Sequence, residues 1–170
     1  MSFLRICGLL CVLLCSAGGG IYFAGRLSLR VESLESLQGF FSQLERLMVY
    51  TAQPVGELFL AMEKQYPNLV FLRDCNVIFS HSGSFASAFA FSIRQNAFAL
   101  GLKKEDVETI CKSSGQIGHT DMEGQQAIYQ LLRLQVSQQL QSAREQAQKK
   151  GRIYRSVGLL GGIALVLFAL

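Results

Sequence analysis

LSLRVESLESLQGFFSQLERLM, residues 27–48, is the stretch that decides the fold. Its apolar residues recur at intervals of three and four, and charged residues occupy positions between them. They are Leu27, Val31, Leu34, Leu37, Phe41, Leu44 and Met48. This spacing predicts a long amphipathic helix with one apolar face.

Further helices are predicted downstream of this stretch. Residues 68–80 are ambiguous, because a short apolar run fits either a strand or a buried helix, and their helical neighbours favour a helix. Ser84 is a candidate N-cap for the helix after them. Twelve phenylalanines supply an aromatic core. The predicted helices after residue 48 cover residues 54–65, 68–80, 85–96, 103–114 and 121–155. The predicted fold class is therefore all-α, a helical bundle.

The two ends of the chain are strongly apolar. Residues 6–24 are 19 consecutive uncharged positions, and residues 157–170 are 14 more. The first segment is about 28 Å long as a helix, close to the roughly 30 Å hydrocarbon core of a bilayer. The second reaches about 27 Å if it starts at Ile153 and Arg155 extends to the interface. We predict an N-terminal transmembrane helix at residues 1–25, a bundle at 26–152 and a C-terminal transmembrane helix at 153–170.

Charge predicts the orientation of these segments. Apart from Arg5, the basic residues next to the apolar ends lie on the bundle side: Arg26, Arg30, Lys149, Lys150, Arg152 and Arg155. Basic residues beside a span stay cytoplasmic, so we predict a cytoplasmic bundle with both termini outside. The alternative is a cleaved signal peptide with Arg5, an apolar run and a small-residue site near Cys15. The positive charge after the first segment favours a retained helix.

Small residues mark one face of each predicted span. Ser16, Gly20 and Ala24 are four apart, and Gly158 and Gly162 form a GxxxG pattern. Such strips allow two helix backbones to approach closely in a membrane. The pattern predicts that the two spans pack against each other or against other subunits. The other subunits could include further copies of this chain, in a homo-oligomer.

GQIGHTDMEGQQ, residues 115–126, is predicted to be a corner between two helices. A glycine ends one helix, a second lets the linker turn, and a threonine and a glutamate form a capping box for the next helix. An aspartate adds negative charge where the helix dipole is positive. The residues assigned to this corner are Gly115, Gly118, Thr120, Asp121, Glu123 and Gln125.

No catalytic or metal-binding set is predicted. A phosphate-binding loop needs more glycines and a lysine at the helix start, whereas Asp121 occupies the place of the phosphate. His119 and Asp121 are two potential metal ligands, but catalytic metal sites usually use three, and the only other histidine, His81, lies in another loop. We therefore expect no enzymatic activity and no cofactor.

Several motifs in combination resemble one protein family. They are VYTAQPVGEL at residues 49–58, then Gly115, Gly118, Asp121 and Gln125, then Ala143, and finally YRSVGLLGGIALVLFAL at residues 154–170. Together they resemble the stage III sporulation protein AB family of endospore-forming bacteria. The resemblance covers most of the chain in order.

The resemblance implies a membrane-anchored component of the sporulation complex that links mother cell and forespore. The family is similar to the inner-membrane platform proteins of type II secretion and type IV pilus machines, whose cytoplasmic domains are helical bundles. It implies a non-enzymatic scaffold in the mother-cell membrane around the forespore. Its expected partners are a secretion-type ATPase, other subunits of the complex and membrane lipid. The candidate partner interface contains Lys103, Lys104, His119 and Asp121.

Two other functions stay open from the sequence. One is a membrane-bound sensor or ligand-binding bundle with a pocket lined by phenylalanines. The other is an exported domain that only the C-terminus anchors after signal cleavage. Nucleic-acid binding is not expected, because residues 26–155 hold fifteen basic and twelve acidic residues, a net charge of only +3.

Overall fold

A computed structural model of the chain describes residues 2–51, 55–115, 117 and 122–169. Every regular element within these residues is an α-helix, which confirms the all-α prediction. The helices are α1 (Ser2–Thr51), α2 (Val55–Glu63), α3 (Phe71–Ser82), α4 (Phe85–Asn96), α5 (Lys104–Ser114) and α6 (Met122–Ala169). Across the described residues, no helix combines the length and the apolar content that crossing a membrane requires.

The chain divides into two compact units. The first, which we call the end unit, contains Met1–Leu29 and Ser142–Leu170, and the second, the bundle unit, contains Arg30–Gln141. Helices α1 and α6 contribute to both units, whereas α2 to α5 belong to the bundle unit alone.

Phenylalanine rings build the core of the bundle unit. Phe40, Phe59, Phe71 and Phe89, from four successive helices, are fully buried. The rings of Phe40 and Phe59 are 5.0 Å apart, and those of Phe71 and Phe89 are 5.3 Å apart, both edge to face. Edge-to-face contact is the arrangement that aromatic quadrupoles prefer. The predicted aromatic core is confirmed.

Helical periodicity positions these rings. Residues 71–80 of the ambiguous stretch 68–80 lie in α3, which buries Phe71, Leu72 and Cys75 on one face, and residues 68–70 precede the helix. The spacing in α4 predicts a stripe of Phe85, Ala88, Phe89, Ser92, Ile93 and Asn96. The structure buries all of them except Asn96, which is half-buried. Both helices therefore direct one apolar face into the shared core.

A glycine turn joins α3 to α4. Gly83 has a φ of +66°, and its N–H donates a hydrogen bond to the Phe79 carbonyl at 3.0 Å. The left-handed conformation caps α3 and is accessible to glycine without strain. The amide nitrogen of Asn96, at the end of α4, donates to the Asp74 carboxylate at 2.7 Å. The two helices therefore form a hairpin held at both ends.

Candidate functional site

The predicted corner at residues 115–125 is described in part. Gly115 follows α5, and its N–H donates to the Cys111 carbonyl at 3.2 Å. Its φ of −61° is right-handed, so the position does not depend on the freedom of glycine. Four residues of the predicted corner and interface lie outside the described residues: Gly118, His119, Thr120 and Asp121.

The two lysines of the predicted interface lie at the start of α5. Lys103 precedes the helix, and its backbone N–H donates to the Asp106 carboxylate at 2.9 Å, which satisfies one free N–H of the helix start. Lys104 is exposed, and its ammonium group lies 3.6 Å from the Glu108 carboxylate. The lysine side chains therefore lie at the surface, and the carboxylate of Asp106 lies beneath them.

Arg30 and Asp106 form a buried ion pair in the bundle unit. The Nε and Nη2 atoms of Arg30 donate to the two carboxylate oxygens of Asp106, both at 2.7 Å. The side chains are 3% and 0% exposed. Nη2 also reaches the amide oxygen of Gln139 at 3.4 Å. The two-pronged geometry is the strongest form of charged hydrogen bond, and it joins α1, α5 and α6.

This pair corrects one prediction. The sequence places Arg30 among basic residues at a membrane edge, whereas the structure buries it in the bundle unit. The reason is its helical phase, because Arg30 shares a face of α1 with the fully buried Leu34 and Leu37. A buried cation is costly without a carboxylate. Sequence reasoning missed Asp106, although its spacing from the buried Ile110 indicates a core-facing position.

Small residues bring α1 and α6 into close contact within the end unit. The Ser16 hydroxyl donates to the Gly158 carbonyl at 2.7 Å. A Cβ on Gly158 would lie 2.9 Å from the Ser16 carbonyl oxygen and 3.0 Å from the Gly20 Cα, and a Cβ on Gly162 would lie 3.2 Å from the Ser16 Cβ. Ala24 is buried. The structure thus brings together Ser16, Gly20, Gly158 and Gly162.

Helices α1 and α6 run antiparallel in this unit. The neighbouring positions, in order along α1, are Leu13 with Gly162, Ser16 with Gly158, Gly20 with Tyr154, and Phe23 with Tyr154. As the residue number rises along α1, it falls along α6.

The end unit exposes many large apolar side chains. On α1 and α6 they are Leu14, Ile21, Tyr22, Phe23, Ile153, Tyr154, Val157, Leu159, Leu160, Ile163 and Leu167. Consecutive positions such as Leu159 and Leu160 point in directions about 100° apart on a helix, so the apolar surface extends around α6. An exposed apolar surface of this kind indicates contact with lipid or with another protein.

Charge is divided unequally between the two units. The end unit holds seven basic residues and one acidic residue, a formal charge of +6, and the bundle unit holds nine basic and eleven acidic residues, a formal charge of −2. Of the predicted membrane-edge residues, Lys149, Lys150, Arg152 and Arg155 are exposed in the end unit, and Arg26 is half-buried there. Only Arg30 lies in the other unit.

The two cysteines of the bundle unit are buried, whereas Cys7, Cys11 and Cys15 of the end unit are exposed. No three potential metal ligands cluster among the residues that the structure describes. Burial raises the pKa of the Cys75 thiol to about 12. Burial also raises the pKa of the Cys111 thiol, against a smaller opposing effect from the Arg94 charge. Both thiols therefore stay protonated near neutral pH and are poor nucleophiles.

The first turns of α6 contain a buried polar residue that the sequence reading missed. Glu123 lies in the first turn, Gln125 is buried, and Tyr129 is only 1% exposed. No described residue bonds the Tyr129 hydroxyl, and burial raises its pKa. The available signal is spacing, because Tyr129 shares a helical face with the buried Leu132 and Val136.

Comparison with known proteins identifies one matching family. The family model described as stage III sporulation protein AB (spore_III_AB) matches residues 5–170. No curated protein and no solved structure matches the chain.

Proposed function

This chain belongs to the stage III sporulation protein AB family, and from that membership we propose that it is a non-enzymatic platform anchored in the mother-cell membrane around the forespore. Its role lies in sporulation. In the proposal, the end unit is the anchor, and the bundle unit binds a secretion-type ATPase and channel subunits in the cytoplasm. The observation that carries the proposal is the family match, which includes both units.

The surface of the end unit supports the anchoring. Its exposed apolar side chains lie on a close antiparallel pair of helices, and residues 6–24 carry no charge. Lipid would remove this surface from water at a gain of roughly 25 cal/mol per Å². Tyr22 and Phe23 lie near the end of the N-terminal apolar segment, shortly before Arg26, and Tyr154 lies between Arg152 and Arg155, shortly before the C-terminal apolar segment. Aromatic residues commonly take such positions at membrane interfaces.

The surface of the bundle unit supports a docking role. Leu131 and Leu134 on α6 are 47% and 58% exposed, and Gln130 and Ser137 next to them are also exposed. Arg133 on the same helix donates to the Glu45 carboxylate at 2.8 Å. Apolar anchors surrounded by polar groups are typical of protein interfaces. We assign this face, together with Lys103 and Lys104, to the ATPase.

A labelling experiment tests the anchoring. Cys7, Cys11 and Cys15, all exposed, are replaced by alanine, and Lys112→Cys supplies one reporter on the bundle surface. Buried Cys75 and Cys111 give little background. We expect a membrane-impermeant maleimide to label inverted vesicles at once and right-side-out vesicles only after detergent is added. Labelling of intact right-side-out vesicles, or release of the protein by alkaline carbonate, would contradict the proposal.

Site-specific photo-crosslinking in sporulating cells tests the docking. A crosslinking residue at Leu134 is compared with one at Val77, which is equally exposed at 56% against 58% but lies on α3. We expect the ATPase to be captured from Leu134 and not from Val77. Capture from Val77 alone would move the interface to α3, and capture from neither position would remove the ATPase as a direct partner of these faces.

A further inference from the structure

A cleft on α6 contains two arginines of the end unit. It has a volume of about 520 Å³ and is lined by Ala147, Gln148, Arg152, Arg155 and Ser156. Gln148, Arg155 and Ser156 are each three or four positions from Arg152, so their side chains are neighbours of Arg152 on the helix surface. The four polar residues are exposed. Two guanidinium groups, an amide and a hydroxyl therefore converge on a single concave surface.

This cleft is suited to an anion. Arg152 and Arg155 make no ion pair with any described residue, in contrast to Arg30 and Arg133, which are bonded to carboxylates. Glu145 is the only acidic residue in the end unit, which carries a formal charge of +6. The guanidinium fork binds phosphate oxygens in pairs. A phosphate group would accept hydrogen bonds from the guanidinium groups of Arg152 and Arg155, because the end unit has only one carboxylate side chain to do so.

The position of the cleft identifies the source of the phosphate. Tyr154 lies between the two arginines in sequence, and its ring is 5.9 Å from that of Phe23. Exposed apolar residues such as Val157 and Leu160 continue α6 on the C-terminal side. Arginine next to interfacial aromatic residues, at the edge of an apolar surface, lies at the depth of lipid headgroups.

We propose that Arg152 and Arg155, assisted by Gln148 and Ser156, bind the phosphate of an anionic phospholipid headgroup. This inference rests on the membrane anchoring of the proposed function and adds a lipid class to it. The two arginines bond the phosphate oxygens, and the neutral side chains complete the set of donors. A zwitterionic headgroup binds less well, because its ammonium group is repelled by the +6 charge of the unit.

Lipid retention by the purified full-length chain tests the site. The protein is equilibrated in detergent with phosphatidylglycerol and phosphatidylcholine in equal amounts, and native mass spectrometry measures the lipid that remains bound. We expect phosphatidylglycerol to be preferred. Removing the arginines in R152Q/R155Q should reduce that preference by roughly 5-fold for each arginine. K64Q/K112Q, which removes two exposed charges from the bundle unit, should retain the wild-type preference.

Three outcomes would overturn the inference. They are equal retention of the two lipids by the wild type, an unchanged preference in R152Q/R155Q, and an equal loss in K64Q/K112Q. Inorganic phosphate is added in a separate arm, and displacement of the lipid by phosphate at equal concentration would show a general anion site. If R152Q/R155Q loses helix content, Q148A/S156A replaces it, with a smaller loss of preference expected.

The result is distinguishable from failure of the proposed function. A chain that labels as membrane-inserted but retains both lipids equally would contradict the headgroup site alone. A chain that labels as peripheral would contradict the anchoring, whatever lipid it retains.

Discussion

The carboxylate of Asp106 neutralises the guanidinium of Arg30 inside the bundle unit, through two hydrogen bonds of 2.7 Å. The residues are 76 positions apart in the chain. A pair of this kind adds little over an apolar pair of equal volume, but losing one partner strands a charge in the core. The Arg30–Asp106 pair therefore favours the arrangement of α1 and α5 in which the two charges meet, because any other arrangement leaves a buried charge unpaired.

Asp106→Asn should destabilise the bundle unit strongly. The substitution keeps the shape of the side chain and leaves the Arg30 charge unpaired, so we expect the free energy of unfolding to fall by about 3–5 kcal/mol. Chemical denaturation in detergent, followed by circular dichroism, measures the change. Lys104→Gln breaks only the exposed contact with Glu108 and should change stability little. An unfolding curve for D106N that matches the wild type would contradict the role of the pair.

Gly158→Ala should disrupt the end unit. Its Cβ would lie 2.9 Å from the Ser16 carbonyl oxygen and 3.0 Å from the Gly20 Cα, and backbone atoms cannot move aside cheaply. The matched control is Gly161→Ala, whose Cβ would meet only the Ser16 hydroxyl, at 3.8 Å, among the described residues. Because alanine favours the helix by about 1 kcal/mol over glycine, the control should melt at the same temperature or higher. Equal melting temperatures for the two variants would contradict close packing of α6 against α1 at Gly158.

A double-cysteine variant, Ser16→Cys with Gly162→Cys, should form a disulfide within one chain. The Cβ separation of 3.2 Å is close to the roughly 3.5–4.5 Å span of a disulfide. The variant is made without Cys7, Cys11 and Cys15, oxidised, and examined by mass spectrometry. Ser16→Cys with Leu160→Cys is the control, because Leu160 is exposed. Disulfide-linked dimers in place of the internal bond would assign the small-residue faces to contact between two copies.

Phe59→Ala should cost about 3–5 kcal/mol of unfolding free energy, because it leaves a large cavity in the aromatic core. The Phe59 ring lies 4.3 Å from that of Phe85 and 5.0 Å from that of Phe40. Phe91→Ala is the matched control, since that ring is half exposed on α4. Denaturant titration of both variants provides the comparison, and similar losses would show that the core is not centred on Phe59.

Alkaline pH should weaken the bundle unit through Cys75. The thiol has an ordinary pKa of 9.0, which burial raises to about 12 in the folded state. Between these values the unfolded chain loses the proton and the folded chain keeps it, so stability is complete below pH 9 and falls as pH rises toward 12. Cys75→Ala should have a shallower decline over this range, whatever its stability at neutral pH. If the unfolding free energy of the wild type and of Cys75→Ala fell equally steeply with pH, the raised pKa of Cys75 would be contradicted.

Local periodicity predicted most of the fold. The stripe from Phe85 to Ile93 on α4 is buried as its spacing indicates. The apolar run at residues 68–80 is helical from Phe71 onward, as its helical neighbours indicated. Periodicity is misleading at one step of α6, because Leu131 lies three positions after the buried Ile128 and its spacing alone indicates a buried position. The structure leaves Leu131 47% exposed and buries Tyr129, which fits the phase of Leu132 and Val136 better.

The pairing of distant residues was harder to predict. A repeat of three and four identifies the face on which Arg30 lies, but it cannot name a carboxylate 76 residues away. For the end unit, the small-residue strips indicated where backbones approach, whereas the antiparallel partner of each strip appeared only in the structure. Sequence pattern describes single helices well because their hydrogen bonds are local, whereas contacts between helices depend on the whole chain.

The hydrogen bond between Ser16 and Gly158 connects residues 142 positions apart. During translation, the glycine face of α1 must therefore wait until the ribosome has made α6, a delay on the order of ten seconds at ordinary elongation rates. Until then, the small-residue face of α1 has no α6 segment to pack against. During this interval the face of α1 that will contact α6 is accessible to a chaperone, an insertase or another nascent chain. The order of synthesis therefore makes this contact one of the last to form.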